Sequence, residues 1–102
     1  GTEYDFLVNR SMTYLRAGDL ERARADIEQA IQEEPQTATG YYVRANIKDQ
    51  QGDCMAAIAD LEHASELAQL TGNVQLDAIV RAQLAYVTQA CAARMPTPIP
   101  LP

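Results

Sequence analysis

The stretch GDLERARADIEQA, residues 18–30, returns 34 residues later as GDCMAAIADLEHA, residues 52–64. Seven of the 13 positions are identical, and Arg10 and Arg44 extend the match upstream at the same spacing. A fixed period of this length is typical of stacked repeats, in which each unit buries its apolar face against its neighbours. Such proteins usually present an extended surface to a partner, so the repeat favours binding over chemistry.

The composition describes one small acidic domain. The chain has 102 residues, of which 47% are hydrophobic, and this is enough to build a core. Its net charge is −6 and its eight basic residues are scattered, which argues against binding to nucleic acid or to an anionic membrane surface. The sequence contains no run of 18 apolar residues, so it predicts no membrane-spanning helix. The sequence does not indicate a compartment, and the cytoplasm is the default location.

Helical periodicity predicts five helices and no strand. Gly18 and Gly52 each supply the left-handed position that ends a helix, and Pro35 ends another. Asp19, Asp53 and Asn73 are N-cap residues, and Thr37 or Thr39 is the cap predicted for the third helix. The predicted helices are about 3–17, 20–34, 40–51, 54–72 and 73–94.

This pattern resembles the tetratricopeptide repeat family, whose 34-residue helix-turn-helix units carry Gly-Asp at the turn, Ala in the second helix and Pro after it. The first copy carries the resemblance through Tyr14, Gly18, Asp19, Leu20, Ala23, Ile27, Ala30 and Pro35. The second copy carries it through Tyr41, Ala45, Gly52, Asp53, Ala57, Leu61 and Ala64.

The resemblance implies an all-α, right-handed α-α superhelix of antiparallel helix pairs. Its domain would span 3–94, with repeat one at about 4–37, repeat two at about 38–71 and a capping helix at about 73–94. Three features depart from the family pattern. Lys48 stands where repeat two should have an aromatic residue, Arg10 and Arg44 stand where Leu is usual, and no Pro closes repeat two.

The resemblance also implies a binding site. In this family the first helix of each repeat lines a concave groove that takes a peptide or a partner helix, and "the groove" is used below for that surface. Transferred by position, the predicted partner-binding residues are Val8, Asn9, Met12, Arg16, Tyr42, Asn46, Asp49 and Gln50. For Val8 and Met12, burial in the core is the alternative, because the two sides of a helix differ by one step.

The predicted partner is another protein or a peptide. One subclass of the family grips the C-terminal carboxylate of heat-shock chaperones with Lys, Arg and Asn. The matching positions here give Val8, Met12 and Tyr42 with Asp49 close by, a partly apolar and acidic set that is unsuited to a carboxylate. The alternative function is a structural module that forms homo-oligomers, including a homodimer, through exposed end helices or through docking of its tail. Phe6 and Tyr4 are the residues predicted to be uncovered at the first helix.

The sequence predicts no catalytic residue, no metal site and no cofactor, and hence no enzyme. His63 is the single histidine, and no second histidine, nucleophile motif or phosphate-binding loop accompanies it.

Cys54 and Cys91 lie 18 and 19 residues on either side of Gly72, the predicted turn between helices four and five. At about 1.5 Å per residue both lie at nearly the same level of an antiparallel pair. They are a candidate disulfide that would join the capping helix to repeat two, and two buried free thiols are the alternative.

The end of the chain, 95–102, has Pro at every second position and is predicted to be extended. We interpret it as the start of a linker or, alternatively, as a segment in which Ile99 and Leu101 dock into a groove.

Overall fold

The computed structural model describes residues 2–94, and the predicted proline-rich tail lies outside this range. The described residues form five α-helices and no strand, so the predicted all-α class is confirmed. The helices are α1 (Thr2–Arg16), α2 (Leu20–Glu33), α3 (Ala38–Gln50), α4 (Cys54–Leu70) and α5 (Val74–Arg94).

The helix boundaries are set by local signals. Gly18, Gly52 and Gly72 have φ angles of 82°, 89° and 71°, a region that L-residues with a side chain rarely adopt. The side chains of Asp19 and Asp53 accept hydrogen bonds from the amide groups of the third residue after each, which confirms the two predicted aspartate caps.

The first of the two residues predicted to cap α3, Thr37, stands at the cap position without making the side-chain hydrogen bond of a cap. Its hydroxyl instead lies 2.9 Å from Tyr4 Oη and 3.0 Å from the carbonyl oxygen of Glu34. Tyr4 is consequently buried, with 8% of its surface exposed, whereas the sequence predicted it to be uncovered. Phe6 is uncovered as predicted, at 57% exposed.

The helices of the pairs α1–α2 and α4–α5 run antiparallel, as cross-contacts show. The Ser11 hydroxyl on α1 donates to the Ala23 carbonyl on α2, and Ser65 on α4 donates to Asp77 on α5. The core has two clusters of buried side chains. One joins α1, α2 and α3 around Ile27 and Ile47, and the other joins α3, α4 and α5 around Leu61.

The stack has an inner and an outer layer. Cα atoms of α1 approach those of α3 within 8 Å, and α3 approaches α5 in the same way, whereas α2 and α4 make no such approach within residues 2–94. The odd-numbered helices are therefore the closely spaced layer, and the even-numbered helices are splayed apart. This difference in spacing makes the α1–α3–α5 side the concave one.

Candidate partner-binding groove

The residues predicted to line the groove lie on α1 between positions 8 and 16 and on α3 between positions 42 and 50. On α1, Asn9 and Arg16 are exposed and Met12 is half-buried against the first core cluster. Val8 is 6% exposed and packs inside that cluster, which was the alternative for this residue. Of the α1 residues in the predicted set, Asn9, Met12 and Arg16 thus retain exposed surface.

On α3, the four predicted residues all retain some exposure. Tyr42, Asn46 and Asp49 are half-buried, and Gln50 is exposed. The Asn46 side-chain amide donates to the Tyr42 carbonyl oxygen at 3.2 Å, which orients its oxygen away from that bond. Tyr42 packs against the second core cluster and is held there by its neighbours. The α3 part of the groove therefore combines an anchored aromatic ring with an oriented amide.

Asp49 is the most unusual polar group in this region. Its Oδ1 atom is buried and accepts no hydrogen bond within residues 2–94. The Arg94 guanidinium, in the last turn of α5, lies 3.7 Å from that oxygen, so the two form an ion pair without a hydrogen bond. The sequence prediction did not include Arg94. The length of α5, 21 residues against 13 for α3, is the signal that could have indicated its reach.

The structure joins Cys54 and Cys91 in a disulfide whose Cα atoms are 5.6 Å apart. Cys54 is the first residue of α4, and Cys91 is one turn from the end of α5. The bond therefore connects the start of the second repeat's outer helix to the end of α5, at the same end of the molecule as Asp49.

An open cleft of about 490 Å³ lies outside the groove, between α4 and α5. Its lining combines acidic, basic and apolar side chains, namely Glu62, Ser65, Glu66, Arg81, Leu84 and Ala85. The sequence prediction did not identify it, because no motif marks these positions.

The single histidine packs against an aromatic ring. The His63 ring meets the Tyr41 ring edge-on at 4.4 Å between centroids, and its Nδ1 atom lies 3.9 Å from Glu66 Oε2. Within residues 2–94, no group of three or more His, Cys, Asp or Glu side chains gathers in a way that suits a metal ion. No described helix is both long and apolar enough to cross a membrane.

Comparison with known proteins identifies the repeat. The family model described as "Tetratricopeptide repeat" matches residues 4–37. The chain is 40% identical over 65 residues to "Tetratricopeptide repeat protein 36" of Danio rerio, and this match covers 64% of the chain and 35% of the relative. The matched segment thus spans about a third of that relative. No solved structure matches significantly.

Repeats of this kind generally mediate protein–protein interaction and are generally not catalytic. Residues 4–37 thus match a tetratricopeptide repeat, and the 34-residue period, the Gly-Asp turns and the five-helix stack of residues 2–94 are consistent with a helical-repeat fold of that kind.

Proposed function

We propose that this chain is a non-catalytic adaptor that binds a peptide or a partner helix in its groove. The observation that carries this proposal is the close spacing of α1, α3 and α5 against the separation of α2 and α4. A concave layer of helices can contact an extended ligand along its whole length, because each repeat adds one helix to the same surface.

The residues proposed to contact the partner have exposed side chains, and two of them also rest on the core. Met12 and Tyr42 offer apolar surface and already rest on the two core clusters, so little side-chain entropy is lost on binding. Asn9 and Asn46 offer amides that can bond to a peptide backbone. Val8 is left out of the set because it is buried.

The charge of the molecule favours a basic or neutral partner over an acidic one. The chain carries a net charge of −6. Like charges at an interface suppress association. The groove is therefore unsuited to the C-terminal carboxylate of a chaperone.

Selection of random peptides by display against the immobilised chain, followed by calorimetry, tests the proposal. The double substitution Met12→Ala and Tyr42→Ala is expected to weaken a selected peptide at least about tenfold, which corresponds to about 1.4 kcal/mol. The matched control is Met55→Ala with Tyr86→Ala, since these side chains are 58% and 65% exposed and lie outside the predicted set. Equal affinity of both double variants for the selected peptide would refute the groove.

Self-assembly is the second candidate, favoured by apolar side chains on the two end helices. Phe6 on α1 is 57% exposed, and Ile79 and Tyr86 on α5 are 53% and 65% exposed. Light scattering after size exclusion at micromolar concentration tests it. A dimer that dissociates on Phe6→Ser or on Tyr86→Ser would support assembly through an end helix, and a monomer would exclude it.

A further inference from the structure

The last two turns of α5 are held to the fold at very few points. From residue 88 to residue 94, Cys91 is the one fully buried residue, at 1% exposed, and Ala90 is half-buried. Val87, at 1% exposed, is the last large apolar residue of α5 in the core. Beyond Val87, the side-chain links to the rest of the molecule that the structure shows are the Cys91–Cys54 disulfide and the Arg94–Asp49 ion pair.

These two links are coupled by position. Arg94 follows Cys91 by three residues, which is less than one helical turn, so the disulfide fixes where the guanidinium lies. The ion pair alone is weak, because Arg94 is 54% exposed and its Nη1 atom stays 3.7 Å from Asp49 Oδ1. The position of Arg94 over Asp49 therefore depends on the covalent bond.

We propose that Cys54 and Cys91 form a thiol–disulfide switch that controls access to Asp49 at the end of the groove. In the disulfide form, α5 stays attached to the fold up to its last residue, and Arg94 covers the Asp49 carboxylate. In the dithiol form, residues 88–94 detach and that carboxylate becomes available to a cationic group of a ligand. This inference rests on the proposed function where it concerns the ligand, but the switch itself can be measured without one.

The oxidant is a small-molecule disulfide of the glutathione class. Cys54 is half-buried and Cys91 is buried, so Cys54 is the thiol that the reagent reaches first. Its thiolate attacks one sulfur of the reagent, releasing the first small thiol and leaving a mixed disulfide. The Cys91 thiolate then attacks the Cys54 sulfur and expels the second small thiol. Two electrons and two protons pass from the cysteine pair to the reagent, which ends as two thiols.

Hydrogen–deuterium exchange by mass spectrometry tests the mechanical part. The full chain is compared after oxidation with glutathione disulfide and after reduction, with the bond verified by the mass difference of two hydrogens. At labelling times too short for global unfolding to contribute, amides of 88–94 are expected to exchange at least about tenfold faster in the reduced chain, while those of 75–82 stay unchanged, because fraying spreads from the end of a helix. Equal exchange of 88–94 in the two forms would overturn the proposal, as would failure of the pair to oxidise.

Carbodiimide labelling of carboxyl groups with glycine ethyl ester tests the access of Asp49. Labelling of Asp49 is expected to rise at least about threefold on reduction, and that of the exposed Glu21 should not change. The variant Arg94→Gln should raise Asp49 labelling in the oxidised chain without changing exchange at 88–94. The variant Cys54→Ala/Cys91→Ala should behave as the reduced chain whether or not glutathione disulfide is present. Unchanged Asp49 labelling on reduction would refute the switch, independently of whether display yields a groove peptide.

Discussion

Lys48 Nζ lies 3.0 Å from Asp60 Oδ2, so the carboxylate of Asp60 is shared by two cations. Arg44 is the other cation, and its guanidinium donates two hydrogen bonds to Asp60 at 2.8 and 2.9 Å. Asp26, 34 residues earlier, accepts the same two bonds from Arg10. The departures from the family pattern at positions 10, 44 and 48 are therefore polar links between the two helices of each repeat.

The two aspartates provide a matched comparison of stability. Asp60→Asn removes the carboxylate that Arg44 and Lys48 share, and both are largely buried, with 22% and 14% of their side chains exposed. We expect it to cost about 3 kcal/mol of unfolding free energy. Asp26→Asn leaves Arg10 unpaired, but Arg10 is 44% exposed and can be solvated, so this substitution should cost less than Asp60→Asn.

Urea denaturation at pH 7 measures both variants against the native chain. Equal losses for the two substitutions would show that Lys48 adds nothing to the second ion pair.

The ion pair around Asp60 also predicts an acid dependence of stability. Burial acts to raise the pKa of Asp60, but the hydrogen bonds from Arg44 and Lys48, with their charges, outweigh it and hold the pKa below its ordinary value. The unfolded chain therefore binds this proton at higher pH than the folded chain does. The stability that Asp60 contributes is present above its unfolded pKa of about 3.9, and it is lost as the pH falls through the folded pKa.

Urea titrations of the native chain and of Asp60→Asn between pH 7 and pH 2 test whether this stability is lost at low pH. The difference in unfolding free energy between them should be constant above about pH 5 and should shrink below about pH 4. A difference that does not vary with pH would contradict the assignment.

Gly40 allows the two repeats to approach each other. A Cβ atom built on Gly40 in α3 would lie 2.9 Å from Ile31 Cγ1 in α2, which is closer than carbon atoms pack. Although Ala favours a helix interior by about 0.5–1 kcal/mol, Gly40→Ala is expected to destabilise the chain by about 1–3 kcal/mol.

Thermal unfolding of Gly40→Ala in the native and in the Ile31→Ala background isolates the clash. Because Ile31→Ala removes the Cγ1 atom, the added methyl group should be neutral or stabilising there. A cost of the same size in both backgrounds would mean that the strain arises elsewhere.

The disulfide should contribute to global stability as well as to the end of α5. Cys54 and Cys91 are 37 residues apart, and closing a loop of this length stabilises a fold by about 2–4 kcal/mol through the unfolded chain. The oxidised chain should therefore unfold at higher urea than the reduced chain. Thiol counting on the unfolded, unreduced protein supplies the control, and two titratable thiols would contradict the disulfide.

The sequence by itself determined the helices, because each boundary depends on local chemistry. Gly18 and Gly52 end helices through their backbone freedom, and Asp19 and Asp53 begin the next ones through a bond three residues away. The 34-residue period then identified the repeat and predicted the groove-forming helices. All of these features act within one or two turns of the chain, where sequence spacing is a direct measure of distance.

Only the tertiary structure decided which face of each helix is covered. Val8 is fully buried in the core and Met12, one turn later, is only half-buried against it, because that outcome depends on how α1 is rotated against α2 and α3. The ion pairs of Asp60 and Asp49 join residues from different helices, so no local spacing marks them. Contacts of this kind depend on packing between elements, whereas helix ends depend on the backbone and on side chains within three residues of it. That is why the sequence determined the helices but not which of their side chains stay exposed.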